Sequence, residues 1–197
     1  MKRNFKFFII VLVGLFCLLS CSGKQTKTKF ADIDFNIDQS LLSTKVVFDQ
    51  IGISIQLPKG WESIEPEMLE VIKKNTFSAQ DSEAVISIPV EVFMNKVNKA
   101  SCFISSLQST KSGDIRAEYL DRFKADHPDL DFNEGTFSHH GLDFYQLIFK
   151  QTDLIMIKLI IETNDNDFMI DYAVPAQYYE AELRSIESSI GSIQKTK

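Results

Sequence analysis

The chain has 197 residues, 44% of them hydrophobic, and carries 27 acidic against 21 basic side chains for a formal net charge of −6. That length supports one ordinary domain with a real core. The acidic balance excludes a nucleic-acid partner, because phosphate binding needs clustered Lys and Arg, and it argues against broad adsorption to anionic lipid heads.

The first residues, Met1-Lys2-Arg3-Asn4-Phe5-Lys6, are basic, and the run from Phe7 to Leu19 contains no charge. A positive n-region followed by a short apolar h-region is the pattern of a secretory signal peptide. A transmembrane helix is the alternative. At ~1.5 Å per residue the run spans roughly 20 Å, against a hydrocarbon core of ~30 Å, so it is too short to cross. The next residues, Leu18-Leu19-Ser20-Cys21, resemble the lipobox of bacterial lipoproteins, in which a small residue precedes a cysteine that is acylated before cleavage. The resemblance implies residues 1–20 as a lipoprotein signal peptide and Cys21 as the lipidation site. The protein would be exported and anchored to a membrane by acyl chains of the palmitate type. Ser22 suits the outer membrane, facing the periplasm. The rival reading is plain secretion with Cys21 as an ordinary thiol.

Cys17 leaves with the signal and Cys21 takes the lipid, so of the three cysteines only Cys102 remains. No intramolecular disulfide and no cysteine-built metal site follow from that count. Residues 21–43 are polar and mixed and read as the lipidated cysteine and a flexible tether. A segment of about 20 residues reaches roughly 25 Å on average. Asp32 to Asp38 alternates acidic and apolar residues, which leaves a further strand or a loose stretch open.

A single α+β domain is expected over residues 44–197. Val46–Phe48 and Ile51–Leu57 read as two short strands around a turn. Pro66 opens a short helix through about Asn75, since proline suits the first turn. Ala84–Met94 alternates around Pro89 and reads as an edge or bulged strand, and Ser101–Leu107 as another strand. Asp114 is an N-cap for a helix to about Asp126, with Ile115, Tyr119, Leu120 and Phe123 on its apolar side. The last third reads as an antiparallel meander: Asp131–Ser138, Leu142–Lys150, Asp153–Glu162 and Asp167–Val174, with turns at His140-Gly141, Gln151-Thr152 and Thr163–Asn166. A final helix runs from Pro175 to about Ile193, with Tyr179, Leu183, Ile186, Ile190 and Ile193 as its apolar stripe.

The segment Leu154-Ile155-Met156-Ile157-Lys158-Leu159-Ile160-Ile161 is apolar on both faces apart from Lys158. A strand with one wet face would alternate, so this one is central and both sheet faces are covered. The expected architecture is a three-layer helix–sheet–helix sandwich on a mainly antiparallel sheet. Gly52-Ile53-Ser54-Ile55-Gln56-Leu57-Pro58-Lys59-Gly60-Trp61, and Tyr172-Ala173-Val174-Pro175 leading to Ile186-Glu187-Ser188-Ser189-Ile190-Gly191-Ser192-Ile193, resemble the opening and closing of PsbP-like domains. The resemblance covers about residues 44–195. The superfamily resembled includes the extrinsic photosystem II protein, a nuclear-import factor that binds the GTPase Ran, and many bacterial lipoproteins. Binding rather than catalysis is their shared theme, and no functional residue carries over.

Candidate chemistry is thin. His139 and His140 are adjacent, and neighbours on a strand point to opposite faces, so they make a poor metal site. Cys102 as a nucleophile would need an activating histidine, whereas cysteine in an apolar strand is usually packing. The acidic clusters Asp126-Asp129-Asp131 and Asp165-Asp167 lack the spacing of an EF-hand calcium loop. No Gly-x-Ser-x-Gly, phosphate loop or His-Glu-x-x-His is present. With the turns placed as above, Tyr145 faces Lys158, Lys158 faces Asp171, and Thr136 joins the row. That row is either a neutralised structural pair capped by Tyr145 or a polar patch in the floor of a ligand cleft. The expected function is a non-enzymatic envelope lipoprotein that binds an envelope protein or small ligand, with neither cofactor nor metal. The alternative is an envelope hydrolase whose residues meet only in space.

Overall fold

The computed structural model describes residues 30–80, 85–109, 114–163 and 167–196. Cys21, the signal segment, and Asn164–Asn166 of one expected turn lie outside the described residues. In chain order the strands are β1 (Ala31–Asp32), β2 (Leu42–Phe48), β3 (Ile53–Pro58), β4 (Trp61–Ser63), β5 (Val85–Asn95), β6 (Ser101–Ser109), β7 (Asn133–His139), β8 (Leu142–Gln151), β9 (Leu154–Glu162), β10 (Asp167–Pro175) and β11 (Gln194–Lys195). The helices are α1 (Pro66–Gln80), α2 (Ile115–Asp126) and α3 (Tyr179–Gly191).

The fold is α+β on mostly antiparallel sheets. Eight strands form one sheet in the order β1-β7-β8-β9-β10-β6-β5-β4. Its single parallel pairing is β1 with β7. β9 lies inside this sheet, and Ile157, Leu159, Ile160 and Ile161 on its two faces are buried. Each such side chain contributes roughly 1.5–3 kcal/mol on burial, which is why both faces attract a covering layer. On one face Leu159 and Ile161 pack with Phe144, Phe168 and Ile170 against Ile53, Ile55 and Leu57 of β3 and Ile186, Ile190 and Ile193 around α3. On the other, Ile160 packs with Leu147, Phe149 and Met169 under Leu120, Tyr119 and Phe123 of α2.

One covering layer differs from expectation. β2 and β3 do not join the main sheet; with β11 they form a second, three-stranded sheet in the order β11-β3-β2. α3 and this small sheet together make the layer. Serines join them: Ser189 Oγ donates to Gln56 O (2.7 Å) and lies 2.9 Å from the Tyr172 hydroxyl, and Ser192 Oγ accepts from Gln56 N at 2.8 Å. β11 was not visible in sequence because two residues carry no period. Two local expectations agree with the structure: Asp114 caps α2 by accepting from Ala117 N at 2.9 Å. The strand containing Pro89 bulges between Pro89 and Glu91, which frees the missing N–H from the ladder.

The folded part also starts earlier than expected. Residues 30–43, read as tether, are packed on the domain. Ala31 and Asp32 pair with Phe137 and Ser138, Ile33 N donates to Ser138 O at 2.9 Å, and Asp38 N donates to Ser188 Oγ at 3.1 Å. His139, at the end of β7, has Nδ1 2.8 Å from Ile33 O and Nε2 2.8 Å from Gly191 O. This buried ring ties the arm to the end of α3. Phe35 packs edge-on to it with ring centroids 4.9 Å apart. The pattern Ile33, Phe35, Ile37 is too short and too acidic in its spacers to announce this docking.

Gly191 is required by the same contact, since a Cβ there would lie 2.5 Å from Phe35 Cβ. We expect Gly191→Ala to destabilise the fold by about 1–3 kcal/mol through overpacking, measured by chemical denaturation. Faster proteolysis within residues 30–38 should accompany it, and an unchanged midpoint would show the arm to be loosely held.

Candidate functional site

The row proposed from sequence is present in part. Lys158 stands opposite Asp171, and Thr136 opposite Tyr145. Tyr145, however, pairs with Ile160, and Leu147 takes the place opposite Lys158. The reason is the turn. Gln151 pairs with Leu154, so Thr152-Asp153 forms the turn rather than Gln151-Thr152. Thr152 holds φ at 55°, a left-handed conformation uncommon for a β-branched residue. None of these residues carries the Asn-Gly or Asp-Gly signal that would have marked it. The period of two keeps Tyr145 on the same sheet face as Lys158, one step along.

That step separates the row into a sealed pair and an open cleft. Lys158 is covered by α2. Its Nζ lies 2.8 and 2.9 Å from the two Asp171 carboxylate oxygens and 3.2 Å from Met169 Sδ. It faces the rings of Tyr119 and Phe123 at 5.4 and 5.1 Å from their centroids. Burial pulls the Lys158 ammonium toward neutrality, but the Asp171 carboxylate beside it, with Tyr119, outweighs this and holds it above the usual lysine range. With side chains only 6% and 14% exposed, this pair neutralises a charge within the core and is not a ligand contact.

Tyr145 and Thr136 instead form part of a cleft of about 580 Å³ between α2 and strands β7–β9. Phe30 of the arm, Ala117 and Leu120 supply apolar wall; Arg116, Lys124, Asp121, Asp143 and Glu162 supply charge of both signs. At one end Lys124 Nζ is 2.7 Å from Glu134 and 3.5 Å from the Tyr145 hydroxyl, which itself donates to Glu134. These bonds from Lys124 and Tyr145 lower the Glu134 carboxyl below its usual range. Burial, then the bond to Glu134, raises the Tyr145 phenol. At the other end Arg116 Nε is 3.2 Å from Glu162. Burial raises the Glu162 carboxyl in spite of Arg116, and Asp114, Asp167 and Asp143 push it the same way.

Arg116, Lys124, Asp143 and Glu162 were not singled out from sequence. Arg116, Leu120 and Lys124 recur every four residues and so share a face of α2, a stripe hidden behind the apolar side used to place the helix. The other candidates resolve simply. Cys102 is fully buried, and burial, with the Asp171 charge, pushes its thiol well above the usual range, which disfavours the thiolate a nucleophile needs. His140 leaves the strand at φ 50°, and its ring lies against that of His139, centroids 3.8 Å apart and tilted by 31°, instead of pointing away. Both His139 nitrogens lie against carbonyl oxygens, as does His140 Nδ1, 3.1 Å from Ile193 O. His127 caps α2 with Nδ1 2.8 Å from Phe123 O. Among the described residues no group of three or more His, Cys, Asp and Glu is arranged to hold a metal ion, and no helix is long and apolar enough to cross a membrane.

Two outcomes follow for the sealed pair. Lys158→Met leaves Asp171 buried beside no cation and should cost about 3–5 kcal/mol, whereas Lys158→Met with Asp171→Leu should recover most of that. Denaturant midpoints of the two variants check this, and a double variant as weak as the single would show that the pair does more than neutralise itself. Because the Lys158 value is raised on folding, its contribution is complete below the unfolded lysine value of ~10.4 and is lost as pH rises through the higher folded value. Wild type should therefore lose stability relative to the double variant only above that pH, read from thermal midpoints across pH 7 to 12.

Comparison with protein families finds no match, and comparison with curated proteins finds none. Among solved structures the chain is similar to cyanobacterial PsbP from Synechocystis sp. PCC 6803, at 12% sequence identity and a TM-score of 0.49, over 81% of this chain and 95% of that one. It is also similar to a protein from Bacteroides thetaiotaomicron VPI-5482, at 15% identity and a TM-score of 0.38, over 79% of this chain and 49% of that one. At these values the likeness is one of fold, and no residue role passes from either protein to this chain.

Proposed function

We propose that the protein is an exported lipoprotein, anchored to the cell-envelope membrane through a lipid on Cys21, whose folded domain is a non-enzymatic binding module. The cleft between α2 and β7–β9 is its binding site. The observation that supports this reading is the separation just described. The groups with the best claim to chemistry, Cys102 and Lys158, are sealed in the core. The accessible groups are hydroxyls, apolar wall and charge of both signs, which recognise and hold a small polar ligand without a nucleophile set beside a base. The anchoring half of the proposal rests on the basic n-region, the short apolar run and the cysteine that follows Ser20.

Expression of the full chain with radiolabelled palmitate tests the anchor. Wild type should incorporate label and sediment with membranes. Cys21→Ala should lose the label and move to the soluble envelope fraction by at least tenfold, because an acylated chain stays bound through ~0.8 kcal/mol per buried CH₂. Sedimentation of Cys21→Ala at the wild-type level would show that the lipid is not the anchor.

A further inference from the structure

The docked arm changes where the cleft stands relative to the anchor. Phe30 lines the cleft and follows Cys21 by nine residues. Even fully extended, nine residues span at most about 32 Å. A domain of this size is about 40 Å across, and its eight strands, at ~4.8 Å spacing, separate the two sheet edges by roughly 34 Å. With Cys21 as the anchor, the Phe30 edge is therefore held toward the bilayer. The opposite edge, where Val97 protrudes at 90% exposure from the β5–β6 turn, is the side that faces outward. A tether reaching as far as residue 43 would have imposed no such orientation.

Resting on the binding-module reading above, we propose that the cleft takes the headgroup of a zwitterionic phospholipid with a primary ammonium, drawn from the membrane that holds the anchor. The lining has matching chemistry at its two ends. Lys124, with the hydroxyls of Tyr145 and Thr136, forms a phosphate-binding end. Asp143 and Glu162, directly opposite each other on β8 and β9 with Arg116 beside Glu162, form an ammonium-binding end. Phe30, Ala117 and Leu120 offer apolar wall to the glycerol and first methylenes. Lys124 is held by Glu134 with both side chains more than a third exposed, a pairing weak in water and readily exchanged for a phosphate. Glu162 is crowded by Asp114, Asp143 and Asp167 with Arg116 as the opposing charge, and an arriving ammonium relieves that repulsion. A purely anionic headgroup would add to it.

The full lipidated chain in nanodiscs provides the test, in two parts. In the first, Ala125→Cys on α2 and Val97→Cys each carry a spin label; Cys102 is fully buried and does not compete. Nickel-chelating lipid should relax the Ala125 label much more than the Val97 label, and equal or reversed relaxation overturns the orientation. In the second, discs of phosphatidylethanolamine are compared with discs of phosphatidylglycerol. The former should raise the thermal midpoint by about 5 °C, the scale expected near saturation for a chain of this length. That difference should vanish in Lys124→Met and in Glu162→Gln. No difference between the discs, or one that survives both variants, overturns the ligand. If soluble O-phosphoethanolamine shifts the detergent-solubilised protein while the discs do not differ, the ligand is a free metabolite and the lipid source is wrong. Cys21→Ala entering discs as well as wild type would defeat the anchor itself, an outcome separate from both parts.

Discussion

Burial of β9 on both faces is the constraint from which the rest of the molecule follows. A strand flanked by β8 and β10 with apolar residues above and below cannot leave either sheet face wet. α2 closes one face and α3 with the small sheet closes the other. Lys158 is the one charge within the apolar run Leu154–Ile161 of that strand, and the covering helix makes it costly. Asp171 sits directly across the ladder because the register of β9 and β10 brings it there. The aromatic rings of Tyr119 and Phe123 then complete a cage around a largely buried charge.

The second organising element is the set of contacts that gathers both ends of the described chain at one corner. His139 stands between the carbonyls of Ile33 and Gly191, Ser188 receives the amide of Asp38, and Phe35 fills the space that a side chain at position 191 would need. These are polar bonds within an apolar surround, where an unmade bond costs more than a made bond gains. They hold an arm of residues that composition alone assigns to solvent. The consequence reaches beyond stability, since the arm's docking leaves only nine residues between Cys21 and Phe30, and under the proposed lipid anchor that short span would select the side turned to the membrane.

Charge of both signs lines the cleft, two cations and three carboxylates. Its cations come from α2, and its carboxylates from α2, β8 and β9. Each cation already has a carboxylate partner, Arg116 with Glu162 and Lys124 with Glu134, so the proposed ligand would exchange these partners while easing the repulsion among the carboxylates around Glu162. The exposed pairs are weak enough for that exchange, while the buried Lys158–Asp171 pair, on the same face one step along, is not. Position under or beside α2 decides which pair is structural and which is available.

The local patterns in the sequence determined the class of fold, the meander of β7 to β10, the cap at Asp114, the bulge at Pro89, and the pairing of Lys158 with Asp171. Each depends on hydrophobic period or on a residue whose backbone preference acts over a few positions. Neither the docking of Phe30–Leu42 nor the separation of β2 and β3 into their own sheet was legible, since both rest on contacts between residues more than a hundred positions apart. The turn at Thr152-Asp153 escaped for a different reason: a left-handed threonine is selected by the strands it joins, not by its own propensity. Moving that turn by one residue shifts the strand pairing by two and keeps every side chain on its face, yet it moves Tyr145 from the sealed pair to the cleft. Sequence alone therefore settled which residues share a face, and the tertiary structure decided which of them meet solvent, because that depends on where a helix from elsewhere in the chain comes to lie.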